Sequence, residues 1–187
     1  MGGGESAPTI GYAITNNGSY GFSAGSPHTV SANYTATLGY YPLAERAGTF
    51  YFGGGRFGAV GDNQFALPIL RGTTSNATPT ELFLEGSNRF TVPASGIVAG
   101  TLSIVGTKTD GSAVAHYVRQ FCLKNVSGTT SAVYSAITIG TDNAAGTSVA
   151  VTANDTNDAL KVEVTGIAAE NWRWQAVIFV NDLKYTS

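Results

Sequence analysis

The sequence predicts an all-β protein: an antiparallel β-sandwich or jelly-roll-like domain over residues 63–187, preceded by an extended N-terminal arm over residues 1–62. Three observations carry this expectation. The composition is that of short strands and tight turns, with 24 glycines, 11% aromatic residues and only 12% charged residues in 187. Segments of apolar and polar alternation recur from Asn63 onward, and in Ala159–Thr165 the side chains of Leu160, Val162 and Val164 share one face while Lys161, Glu163 and Thr165 share the other. Turn residues such as Asp110-Gly111 punctuate these segments every ten residues or so, the spacing of an all-β domain.

The arm is read from what it lacks. Up to Asp62 the chain is Gly, Ser, Thr, Asn and aromatics, with Glu5 its only charge before Glu45 and no alternation long enough for a sheet of its own. Disordered linkers are poor in aromatics, whereas this region carries Tyr12, Tyr20, Phe22, Tyr34, Tyr40, Tyr41, Phe50, Tyr51 and Phe52. These nine are the candidate partner-binding residues, on an arm that orders on contact. Fully stretched, it reaches on the order of 200 Å at about 3.3 Å per residue.

The strands follow in order. Glu81–Leu84 and Arg89–Val92 flank a turn at Gly86–Asn88 and read as a hairpin. Ile97–Thr107 and Val114–Asn125 flank the Asp-Gly turn, and Ser131–Ile139, Thr147–Ala153 and Ala159–Thr165 come next. In Trp172–Leu183, parity places Trp172 and Trp174 on the inward face with Ile178 and Val180, Trp172 nearer the strand end and expected to matter less.

Bulk properties exclude several functions. A formal net charge of −2 without Lys or Arg clusters provides no footprint for nucleic acid, and no stretch is long enough to span a membrane. No secretory signal precedes the domain, so the five N-x-S/T sequons at Asn17, Asn33, Asn76, Asn125 and Asn154 carry little weight. The opening Met-Gly-Gly-Gly-Glu-Ser fits a myristoylation pattern at Gly2, but without a nearby basic patch an unmodified terminus is expected. One cysteine, Cys122, excludes an internal disulfide. Too few charges remain to cover a monomer in the ordinary way, so a homo-oligomer with apolar contacts is expected.

No catalytic constellation, cofactor or metal emerges. Gly53, Gly55 and Gly58 form G-x-G-x-x-G, yet no helical period follows to aim N–H groups at a pyrophosphate. Cys122 and His116 lie six apart on one predicted strand, about 20 Å at roughly 3.3 Å per residue, too far for a nucleophile and its base. His28 has no partner spaced for a metal. Asp142, Asp155 and Asp158 offer oxygen ligands to calcium, while Asx-turns explain the same residues. Glu81 and Glu85 stand four apart in or beside one strand, with no long repetitive β-helix expected around them, which argues against a glycosidase pair. The expectation is therefore no enzyme.

Residues 56–180, through Gly61-Asp-Asn-Gln64, Thr78-Pro-Thr-Glu-Leu-Phe-Leu84 and Asn157-Asp-Ala-Leu-Lys-Val-Glu-Val-Thr-Gly166, resemble a module at the C-terminal ends of tailed-bacteriophage tail-fibre and other virion proteins. The resemblance implies a β-rich, trimeric building block of the virion, with Thr73–Gly86 as its hinge and first hairpin. Lacking a long coiled-coil or repeat shaft, the chain reads first as a capsid decoration or cement protein whose partner is the major capsid protein or another virion protein. The alternative is a tail fibre or spike that binds host receptor or surface glycan. Either places it on the surface of the phage particle.

Overall fold

The structure, a computed structural model, describes residues 8–185. The myristoylation pattern falls outside the described residues. From Thr9 to Gly54 the chain winds through three turns of a β-solenoid. Its strands are β1 (Thr9–Gly11), β2 (Ile14–Asn16), β3 (Phe22–Gly25), β4 (His28–Val30), β5 (Ala36–Tyr40), β6 (Leu43–Ala44) and β7 (Thr49–Gly54). Strands β1, β3, β5 and β7 stack in parallel to form one wall, and β2, β4 and β6 form another. Thr9 pairs with Ser23, Ser23 with Thr37 and Thr37 with Tyr51, an offset of 14 residues at each step.

That offset is written in the sequence. Gly11, Gly25, Gly39 and Gly53 recur at the same point of each coil, where coils approach closely: at Gly25, with φ of 128°, a Cβ would collide with the carbonyl oxygen of Gly39. Tyr20, Tyr34 and Gly48 recur at the opposite corner, all left-handed with φ of 58°, 56° and 68°. Inside the coils, His28 Nε2 donates to the Gly39 carbonyl at 2.9 Å, and His28 Nδ1 lies 3.1 Å from Thr37 Oγ1, itself 3.0 Å from Ser23 Oγ. These buried polar groups thus find partners between successive coils.

After Gly54 a loop leads to β8 (Asn63–Thr74), which pairs antiparallel with β7 and carries the same sheet onward. There follow β9 (Thr80–Glu81), β10 (Phe90–Thr91), β11 (Gly96–Lys108), β12 (Val114–Val126), β13 (Thr129–Ala132), β14 (Ile137–Thr138), β15 (Ser148–Asn154), β16 (Ala159–Thr165) and β17 (Trp172–Lys184). The long sheet runs β1-β3-β5-β7-β8-β17-β11-β12-β13, with β14 also on β12. A small sheet, β10-β16-β15 with β9 on β16, completes the antiparallel half. Their apolar side chains form one cluster that includes Leu102, Ile104, Phe121, Ile178, Phe90, Leu160 and Val162. Trp172 and Trp174 stack within it, centroids 5.6 Å apart, and Trp174 Nε1 donates to Thr74 Oγ1 at 3.0 Å.

The expected sandwich or jelly roll with an extended arm is thus incorrect. The chain is all-β, but it is built as a β-solenoid whose wall is continuous with the antiparallel strands. The physical reason is register: strands of two to six residues are too short for alternation to show, yet each finds its partner one coil away. The expected hairpin at 81–92 also fails, because β9 and β10 each pair with β16 rather than with each other. Trp172, expected to matter less than Trp174, is fully buried.

A buried ion pair joins the two halves. Arg46, in the turn after β6, donates from Nη1 to Asp182 Oδ2 of β17 at 2.6 Å, with side chains 2% and 0% exposed. Arg46 Nε donates to the Thr91 carbonyl at 2.8 Å, its guanidinium lies 4.3 Å from the Phe90 ring centroid, and Gln64 Nε2 donates to the same Asp182 oxygen at 3.2 Å. Burial acts to lower the Arg46 pKa, but the Asp182 charge and the Tyr51 oxygen outweigh it and hold the pKa above its ordinary value.

Candidate functional site

The solenoid sorts the nine aromatic candidates into groups that linear sequence does not separate. Tyr51 points inward and is fully buried, its phenol oxygen accepting the Arg46 backbone N–H at 3.2 Å, and burial raises its pKa. Phe22, Phe50 and Phe52 share the outer face of the long sheet, since their inward neighbours Ser23, Thr49 and Tyr51 are buried. Tyr12 is exposed on the first coil. Tyr40 and Tyr41 meet at 4.2 Å, with the Arg56 guanidinium 4.0 Å above Tyr41. Tyr20 and Tyr34 form a ladder at the left-handed corner, rings nearly parallel at 6° and centroids 5.4 Å apart, both about half exposed.

Beside this ladder lies a cleft of about 400 Å³. Its walls are the corner Ser31–Tyr34, the same corner one coil later at Glu45–Ala47, and residues from the 84–91 segment, including Glu85, Asn88 and Arg89. The corner is fixed by the coil stack: Asn33 Oδ1 accepts the Ser19 N–H at 2.8 Å, and the Gly48 N–H donates to the Asn33 carbonyl at 3.3 Å. The far wall is held by Arg89, which grips Glu81 through two bonds of 2.8 and 2.9 Å; that bond to Glu81 raises the Arg89 pKa. A second hollow of about 490 Å³ lies across the Leu84–Glu85 turn, floored by Gly72 and Trp174 and flanked by Arg71 and Arg173.

The charges in the first cleft are balanced by their own partners. Glu45 pairs with Lys184, Glu85 with Arg71, Arg89 with Glu81 and Arg46 with Asp182. What remains for a ligand is a half-exposed tyrosine ring beside planar hydrogen-bonding groups. That combination suits a polyhydroxylated molecule with one C–H face, which stacks on the ring while its hydroxyls meet the amides and charged groups. Of the cleft residues, sequence reasoning singled out Tyr34 as a binding residue and missed Asn33, Glu45, Arg46, Asn88 and Arg89. The 14-residue recurrence of Gly11, Gly25, Gly39 and Gly53 is the signal that stacks 31–34 over 45–47.

The remaining candidates are dispersed. The loop after Gly53 starts no helix, and its N–H groups at Phe57, Gly58 and Ala59 donate to the Asp62 carboxylate at 2.7–3.2 Å. Burial tends to raise the Asp62 pKa, and these donors pull it below the ordinary value. Asp142 is gripped by Arg119 through two bonds of 2.7 Å, while Asp155 and Asp158 both accept from Thr130. Among the described residues no group of three or more His, Cys, Asp or Glu converges as a metal site. His116 Nε2 lies 3.0 Å from Ser103 Oγ, and burial pushes the Cys122 thiol pKa up. No described helix is long and apolar enough to cross a membrane.

Among solved structures, the chain is similar to the tailspike protein of Acinetobacter baumannii bacteriophage Fri1, a capsular polysaccharide depolymerase. The TM-score is 0.39 at 11% identity, over 91% of this chain and 35% of that one. It is similar as well to the tailspike of Acinetobacter baumannii phage AM24, with a TM-score of 0.35 at 10% identity over 84% of this chain and 33% of that one. The chain spans about a third of the length of these tailspikes. No protein-family model and no curated protein matches it. The expectation of no enzyme is corrected by this finding, because the Fri1 tailspike is described as a depolymerase, which is an enzyme.

Proposed function

We propose that this chain is part of a phage tail spike or tail fibre, exposed on the virion, that assembles as a homotrimer and binds host surface glycan in the cleft beside Tyr34. The observation that carries this reading is the stacked, half-exposed Tyr20–Tyr34 ladder bordering a charge-balanced cleft. The resemblance of residues 56–180 to tail-fibre modules points the same way. The capsid-decoration reading drew its support from an extended arm laid across capsomer seams, and residues 9–54 form solenoid coils instead.

The test is binding of purified host capsular polysaccharide to the full chain by isothermal titration calorimetry. Tyr34→Ala is expected to weaken binding at least tenfold while leaving the melting temperature within a few degrees, since the ring is half exposed. Unchanged affinity removes the cleft as the site. Following polysaccharide length in the same samples reports whether cleavage accompanies binding. Gold-labelled antibody on intact virions is expected on the tail, and label spread over the head restores the decoration reading.

A further inference from the structure

The outer face of the long sheet carries apolar rows that nothing among the described residues covers. Ile10, Leu38, Phe52 and Phe65 fall in one row, which strand register extends through Asn181 and Ala99 without a charged side chain. Phe22, Phe50 and Leu67 form the neighbouring row, again uncharged. Exposure is high where side chains stand proudest: Ile10 64%, Phe52 49%, Phe179 52% and Ile69 42%. Six strands from β1 to β17 at about 4.8 Å spacing make the face roughly 25 Å wide. Aromatic and aliphatic side chains exposed to this degree amount to on the order of 500 Å², at the upper end of what one monomer leaves bare.

We infer that this face is where copies of the chain pack against one another. The exposed charges on this side of the sheet, Arg71, Arg173 and Lys124, lie outside the two rows, so a charged partner would find nothing in the rows to pair with, whereas a second copy brings equally uncharged rows. The face also carries both halves of a fit. Between its protruding rings lie a hollow of about 390 Å³ bordered by Phe52, Phe65 and Asn181, and another of about 330 Å³ bordered by Phe65, Tyr134 and Phe179. Each is large enough to take a phenylalanine ring from a neighbour. Together with the polar margins around it, the apolar area approaches the roughly 800 Å² per partner of a standard interface. The count of three copies rests on the spike reading; the choice of face does not.

The experiment is sedimentation velocity of the full chain at about 50 µM, at low salt and in about 1 M NaCl, for the wild type, Phe179→Glu, Phe52→Glu and Thr152→Glu. The wild type is expected to assemble at both salt concentrations, because apolar burial is poorly screened. Phe179→Glu and Phe52→Glu are expected to sediment as monomers with unchanged circular dichroism, since both side chains point outward. Thr152→Glu, exposed on the small sheet, adds the same charge elsewhere and is expected to assemble like the wild type. A monomeric wild type, assembly by both phenylalanine variants, or loss of assembly in Thr152→Glu overturns the inference. Glycan binding measured on the same samples separates this outcome from the fate of the cleft: a monomer that still binds overturns the face and leaves the glycan-binding reading of the cleft intact.

Discussion

Asp182→Ala tests whether the solenoid and the antiparallel half are one cooperative unit. The substitution leaves the Arg46 guanidinium buried without its countercharge, at a site where both side chains are at most 2% exposed and the lost bond is 2.6 Å long. Arg46 Nη2 and Asp182 Oδ1 already lack hydrogen-bond partners among the described residues, so little remains to absorb the orphaned charge. Removing one partner of such a pair costs about 3–5 kcal/mol. For a chain of this size that corresponds to a fall in Tm of roughly 6–20 °C. The assay is urea unfolding followed by tryptophan fluorescence, which reports Trp172 and Trp174 in the antiparallel half, and by far-UV circular dichroism, which also sees the coils. The two curves are expected to move together. Arg46→Met combined with Asp182→Leu is expected to recover most of the loss, since a buried pair replaced by apolar side chains is often neutral. A loss below about 1 kcal/mol for Asp182→Ala, or two separated transitions in the wild type, refutes the reasoning.

Other outcomes follow from the same structure. Trp174→Ala is expected to cost about 3–5 kcal/mol, and Trp172→Ala as much, because both rings are buried and stacked; chemical denaturation of the two variants checks the equality. Gly39→Ala places a methyl group against the Gly53 carbonyl at φ of 98° and is expected to cost well over 1 kcal/mol, read as a lower urea midpoint. The carboxyls of Asp62 and Asp142 have folded pKa values below the ordinary 3.8, lowered for Asp142 first by its bond from Arg119. Their stabilisation is therefore complete above the unfolded value and lost as pH falls below about 4. Melting temperatures between pH 5 and pH 2 are expected to fall less steeply for Asp142→Asn than for the wild type.

Alternation in the long strands was legible. Strands β11, β12, β15, β16 and β17 lie where the period-two pattern puts them, within about two residues at their ends. The solenoid was hidden because its signal is not alternation but recurrence: Gly11, Gly25, Gly39 and Gly53, with Tyr20, Tyr34 and Gly48 at the other corner. A search for repeats reads that signal; a search for amphipathic strands passes over it. Of the candidate site, Tyr34 was legible as an aromatic in want of a surface. Arg89 was not, because its place depends on β9 and β10 lying end to end along β16.

By itself the amino-acid sequence determined that the protein is all-β, that its charges are too few to cover it, and which side chains of the long strands face inward. These properties follow from the local period of side chains along a strand and from the solvation cost of each residue type. Only the tertiary structure decided which strands pair, and every functional feature depends on that choice. Arg46 meets Asp182 across 136 residues. Ser31–Tyr34 stacks on Glu45–Ala47 to open the cleft, and Phe52 stands beside Phe65 on the outer face. A strand's backbone bonds equally well to any partner of compatible register, so partner choice resides in the packing of the whole chain rather than in any stretch of it.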